Sequence, residues 1–111
     1  MIISKESIKR IDDLINRYII LEIKREFLHE EEQYDINELI FLLENALILS
    51  NSYSNKNKER ALAIATIVAE SKIENNQLKA IASLILGNLR NFQGQKLIDT
   101  SYNEIKVDPL D

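Results

Sequence analysis

The sequence predicts an all-α domain of four to five helices arranged as antiparallel hairpins, and three observations carry that prediction. Apolar residues recur at three- and four-residue steps along most of the chain, the spacing that stripes one face of a helix. No stretch alternates apolar and polar residues as a half-buried strand would. Backbone chemistry that breaks helices is scarce: the glycines are Gly87 and Gly94, and the one proline is Pro109. A chain of 111 residues is the size of one ordinary domain. Residues 1–99 are expected to form it, with 100–111 as a weakly structured acidic tail.

The first helix should start at Ser4, whose hydroxyl can cap it, and run to about residue 30. Its apolar face reads Ile8, Ile11, Leu14, Ile15, Tyr18, Ile19, Leu21, Ile23, Phe27 and Leu28. The run from His29 to Gln33 is the expected exit. Asp35-Ile36-Asn37-Glu38 then reads as a capping box, with Asp35 as cap and Glu38 reaching back to the Asp35 N–H. The second helix follows with Leu39, Ile40, Phe41, Leu42, Leu43, Ala46, Leu47, Ile48 and Leu49, so it is apolar nearly all round. Such a helix is either central in its bundle or buried against a partner.

Residues 51–57 are dense in turn formers, and a third helix is expected from about Asn57 to Ser71. Its Ala61, Ala65 and Ala69 form a small-residue ridge that lets another helix approach closely. After a turn capped by Asn75 or Asn76, a fourth helix should run from about Gln77 to Leu89, with Leu78, Ile81, Leu84, Ile85 and Leu89 facing the core. Residues 63–68 echo residues 80–85 at an offset of 17, as expected of one hairpin whose helices have similar packing faces. Residues 95–98 could add a short fifth helix.

Charge is unevenly spread over a net of −4. Residues 1–54 carry 11 acids and 6 bases, 55–98 carry 3 acids and 7 bases, and 99–111 carry 4 acids and 1 base. A dedicated nucleic-acid binder usually shows a basic excess, so that class is disfavoured. Weak anion contact stays open at Lys56, Lys58 and Arg60, where the third helix begins. The plainer reading of those three residues is a solvated positive face. The longest apolar run, Leu39 to Leu43, is far short of the roughly 20 residues that span a bilayer, and residues 1–6 do not open a signal peptide. A cytoplasmic protein is therefore expected, without membrane contact. The richness in Asn, Ile, Lys and Ser fits an AT-rich microbial genome.

Reactive chemistry is sparse. There is no cysteine, which excludes disulfides and thiolate metal sites. The one histidine, His29, stands three residues after Glu26, the Glu-x-x-His spacing of carboxylate-bridged di-iron bundles. Such a centre needs two of these motifs and further glutamates, and the chain offers one, so an exposed histidine near a helix end is the plainer reading. Asp12 and Asp13 are adjacent and point in different directions on a helix. No glycine-rich phosphate loop and no nucleophile elbow occurs. We expect no catalytic, cofactor or metal site.

Protein binding has better support. Ile40, Phe41, Glu44 and Ile48 on the apolar second helix, with the acidic run Glu30, Glu31 and Glu32, resemble an apolar patch with a charged rim. The alternative for the same residues is a core helix whose neighbouring acids keep the chain soluble.

The stretch Arg60-Ala61-Leu62-Ala63-Ile64-Ala65, then Leu78 to Phe92, then Lys96-Leu97-Ile98 resembles a helical segment near the N-terminus of some large bacterial DEAD/DEAH-type helicases of phage-defence loci. The resemblance covers roughly residues 58–99. Where that family usually has a proline, this chain has Gln93-Gly94, and it carries none of the helicase ATPase motifs. The resemblance implies an accessory helical module, free-standing or part of a longer protein, that positions DNA or a partner without hydrolysing ATP. The expected function is thus a non-catalytic protein-interaction module, linked to a bacterial helicase or defence complex. Two alternatives stand beside it. One is a small acidic inhibitor or immunity-type protein that binds a basic partner through Glu30, Glu31, Glu32 and Asp35, and the other is a weak nucleic-acid-binding accessory. Self-association of the second helix is left open.

Overall fold

The computed structural model describes residues 3–29 and 34–95, and it is an all-α bundle with no strand among those residues. The helices are α1 (Lys5–Ile23), continued by a π-helical turn (Lys24–Leu28), then α2 (Ile36–Ser50), α3 (Asn55–Glu70) and α4 (Asn76–Asn88). A further helical stretch covers 90–95. The expectations for Glu30, Glu31, Glu32 and Gln33, for a fifth helix reaching 98 and for the tail 100–111 fall outside the described residues. No described helix is long and apolar enough to cross a membrane.

Side-chain caps fix where each helix starts. The Ser4 hydroxyl accepts from the Ser7 N–H, the Asp35 carboxylate from the N–H groups of Asn37 and Glu38, the Ser54 hydroxyl from Asn57 N–H, and the Asn75 side chain from Leu78 N–H. The third helix therefore begins two residues before the expected Asn57, because Ser54 supplies the acceptor. At the other end of α3, Lys79 Nζ donates to the carbonyls of Ala69 and Ser71, and the buried Ser71 hydroxyl donates to Val68 O. Carbonyls left without intrahelical donors are thus satisfied by the next hairpin arm.

The capping box forms only in part. Glu38 does not reach back to Asp35. Its carboxylate instead takes both arms of Arg17 and the Tyr18 hydroxyl, at 2.6 Å from the latter. The Asp35 N–H that Glu38 was expected to satisfy donates to Tyr18 Oη at 3.3 Å. Tyr18 is fully buried and stacks on Tyr34 with ring centroids 5.2 Å apart. Burial, and then the bond to the Glu38 carboxylate, pushes the Tyr18 phenol up to about 12. A long-range network has replaced a local motif because the tyrosine offers Glu38 a desolvated donor.

α2 and α3 each pack against the other three α-helices and together form the middle of the bundle. Leu39, Leu42, Leu43, Ala46 and Leu49 are buried there, and α3 contributes Ala61, Ile64, Ala65, Ile67 and Val68. The alanine ridge meets its partner: Ala61 and Ala65 are completely buried and Ala69 packs at the margin. The echo at offset 17 is real for part of the pattern, since Ala61, Ala65 and Val68 match Leu78, Ala82 and Ile85, all buried. It fails at Ile64 and Ile81. The first is buried, whereas Ile81 and its neighbour Leu84 are exposed, contrary to the expected core face. α3 lies among three helices, but α4 packs chiefly against α2 and α3 as an edge helix, so one stripe suffices for its core contacts.

α1 also departs from expectation. Ile11, Leu14, Ile15, Tyr18 and Leu21 enter the core, but Ile19, Ile23, Phe27 and Leu28 stay exposed, as does Ile20. Regular α-helical winding stops at Ile23. The π turn that follows buries none of its residues, and His29 ends it in the left-handed region at φ 56°, its N–H donating to Lys24 O.

Candidate functional site

Two apolar grooves open on the surface. The first lies between α2 and α4. Leu43 and Leu78 form its buried floor, and Ile40, Leu47, Ile81 and Leu84 form its exposed walls around a volume of about 180 Å³. The walls arise because α2 is apolar nearly all round while α4 covers only part of it. Glu44 is the one charged residue lining the groove.

The second groove lies between α1 and α3 and encloses about 330 Å³. Ile19, Ile23, Ala63 and Ile67 line it together with Thr66, Glu22 and Glu70. Beyond it, Ile20, Phe27 and Leu28 continue the uncovered apolar face of α1, and Phe27 is 73% exposed. Glu22 Oε2 pairs with Arg25, but Oε1 is buried and has no hydrogen-bond partner among the described residues. Burial raises the Glu22 carboxyl above its ordinary range. Arg25 and Lys72 oppose the rise, and the negative charges of Glu70 and Glu26 add to it.

A third, open cleft of about 730 Å³ is lined by Ile3, Ile8, Ile48, Leu49, Asn51, Ser52, Tyr53 and Asn57. No charged side chain lines it, and its hydroxyl and amide groups include no base that could activate a nucleophile.

The expected partner-binding residues separate. Ile40 and Glu44 share the α2–α4 groove. Ile48 lies on the other cleft, and Phe41 is half-buried beneath the Arg10 guanidinium, 4.3 Å from its ring centroid. Glu30, Glu31 and Glu32 lie outside the described residues.

The expected anion-binding residues separate as well. Arg60 is turned inward, its guanidinium clasped bidentately by Asp12 at 2.7 and 3.1 Å and also donating to Asn57 Oδ1. It ties α3 to α1 and is not presented to a ligand. The Lys58 ammonium sits 5.9 Å from the Phe92 ring centroid, and Lys56 is exposed. Helical geometry turns Lys58 away from the face shared by Lys56 and Arg60. At the candidate metal ligands, Glu26 and His29 are both exposed, His29 at the π-turn exit. No group of three potential metal ligands converges among the described residues.

Sequence reasoning passed over the α1–α3 groove. A signal was present: Tyr18, Ile19, Ile20 and Leu21 are four consecutive apolar residues, more than one core-facing stripe can bury. The features that remain are those of an all-α bundle bearing apolar grooves, and comparison of the chain with family models, curated proteins and solved structures finds no match.

Proposed function

We propose that the chain is a non-catalytic helical protein-interaction module that receives its partner in the α2–α4 groove. One observation supports this most: Ile40, Leu47, Ile81 and Leu84 leave apolar side chains uncovered on both walls of one groove, with a single carboxylate, Glu44, at its edge. Clustered apolar walls with an isolated charge suit the apolar face of a helix, because burial supplies affinity and the charge sets register. The resemblance of residues 58–99 to a helicase-linked segment agrees with this reading, since α4 falls within that span and supplies one wall. It points to a helicase or defence complex in a bacterial cell as the setting.

The nucleic-acid reading is weaker on the same grounds. Arg60 and Lys79 direct their hydrogen bonds inside the fold, and phosphate binding needs several free bases on one face.

Photo-cross-linking tests the proposal. A photoreactive residue placed at Leu47 should trap one discrete polypeptide in the native host, and Leu84→Glu on the opposite wall should abolish the product. An unchanged product in the Leu84→Glu background, or none from Leu47, would remove the groove as the binding surface.

A further inference from the structure

The α1–α3 groove combines three features that no contact within the described fold requires. Ile19 and Ile23 on its α1 wall are apolar and exposed above the half-buried Ala63 and the buried Ile67, its polar side chains are two carboxylates and a single hydroxyl, and one carboxylate oxygen is buried without a donor among the described residues. Leaving a charged acceptor unpaired in a desolvated position is costly, and a single N–H from outside would remove that cost. Arg25 already engages the other oxygen, so Oε1 is left for a donor that the described fold does not supply.

We propose that this groove docks an amphipathic helix of a basic partner, whose apolar stripe covers Ile19 and Ile23 over the Ile67 floor while a lysine or arginine donates to Glu22 Oε1. The charge pattern selects this occupant. Glu22 and Glu70 line the groove, and the fields of Glu26, Arg25 and Lys72 also reach the Glu22 carboxylate, so three acids outnumber two bases there. A second copy of the chain would fit poorly, because an isologous contact brings another set of the same acids into one desolvated interface. An acidic helix would be repelled by Glu22 and Glu70, and a neutral donor would satisfy Oε1 without offsetting their charge. The exposed faces of Ile20, Phe27 and Leu28 lengthen the track beyond the groove, so a docked helix of about three turns can keep apolar contact along its whole length. Ile19, Ile20, Ile23, Phe27 and Leu28 together leave roughly 600 Å² uncovered, about three-quarters of the roughly 800 Å² that one partner contributes to a standard interface.

This surface shares no lining residue with the α2–α4 groove, so the two stand or fall separately. The test uses the full chain, labelled at isoleucine methyls, and a synthetic helical peptide with leucines at i, i+3, i+4 and i+7 flanked by lysines. A matched peptide carries glutamate in place of lysine. The lysine peptide should shift the methyls of Ile19, Ile23 and Ile67 and leave those of Ile40 and Ile81 in place. Glu22→Gln, which keeps the side-chain shape, should weaken that binding about tenfold through loss of a charge-assisted hydrogen bond. The glutamate peptide should not bind. Absence of methyl shifts, shifts confined to Ile40 and Ile81, or equal binding of both peptides or of the Glu22→Gln chain would overturn the proposal. Leu84→Glu should leave these shifts unchanged, which separates this result from that of the cross-linking experiment.

Discussion

Replacing Glu38 with alanine should destabilise the fold far more than an exposed helix-start acid normally would, because Glu38 is the acceptor that satisfies Tyr18. The Tyr18 side chain is fully buried and its hydroxyl donates to Glu38 Oε1 at 2.6 Å. Without the carboxylate that donor has no partner, a loss of about 1–3 kcal/mol. The Arg17–Glu38 pair is about half-exposed on the arginine side and adds no more than about 1 kcal/mol. The total is about 1–4 kcal/mol, or a fall of roughly 4–16 °C in Tm for a domain of this size. In a Tyr18→Phe background the orphaned donor no longer exists, so Glu38→Ala should cost only the arginine part, about 0.5–1 kcal/mol. A double-mutant cycle by urea unfolding should therefore give a coupling energy of about 1–3 kcal/mol between the two positions. Equal costs of Glu38→Ala in the parent chain and in the Tyr18→Phe variant would refute the network and restore the local capping box.

The raised Tyr18 phenol also makes stability pH-dependent. Its contribution is complete below the ordinary tyrosine value of about 10 and is lost as pH rises through about 12, and Tyr18→Phe should remove that alkaline loss in pH-dependent melts. Leu42→Ala empties a fully buried position of α2 and should cost about 2–5 kcal/mol, whereas Ile40→Ala on the groove wall should cost about 1 kcal/mol or less, both read by denaturant unfolding. Arg60→Ala should lower stability by about 1–2 kcal/mol through loss of the bidentate pair with Asp12 and leave the salt dependence of any DNA retention unchanged. Because burial raises the Glu22 carboxyl, its ionised form is disfavoured in the fold, and Glu22→Gln should raise the Tm at neutral pH in the free chain.

Local chemistry was legible in the sequence, and long-range partnership was not. Ser4 and Asp35 could be read as caps because the donor and acceptor of a cap lie within three residues. Glu38 was placed correctly on the first turn of α2, but its partners stand 20 and 21 residues upstream on α1, beyond any local motif. Arg60 failed as an anion ligand for the same reason, since Asp12 is 48 residues away. The packing of α2 against three neighbours agrees with its nearly continuous apolar surface, but α3 holds the same position with a narrower apolar face. Ile81 and Leu84 were misplaced because periodicity shows that a helix has an apolar face without showing how many neighbours cover it. On α4, at the edge of the bundle, one stripe is covered and the next is left as a groove wall. On α1 the π turn changes the angular step after Ile23, so a pattern extrapolated with α-helical geometry assigns Phe27 and Leu28 to the wrong face.

The central claim is that the apolar walls of the α2–α4 groove serve a partner and are not part of the core, and Leu84→Glu tests it in one chain. Leu84 is 57% exposed, so the variant should melt within about 1 kcal/mol of the parent while losing the cross-link formed from Leu47. A loss of stability as large as that of Leu42→Ala, or a cross-link that survives unchanged, would contradict the account.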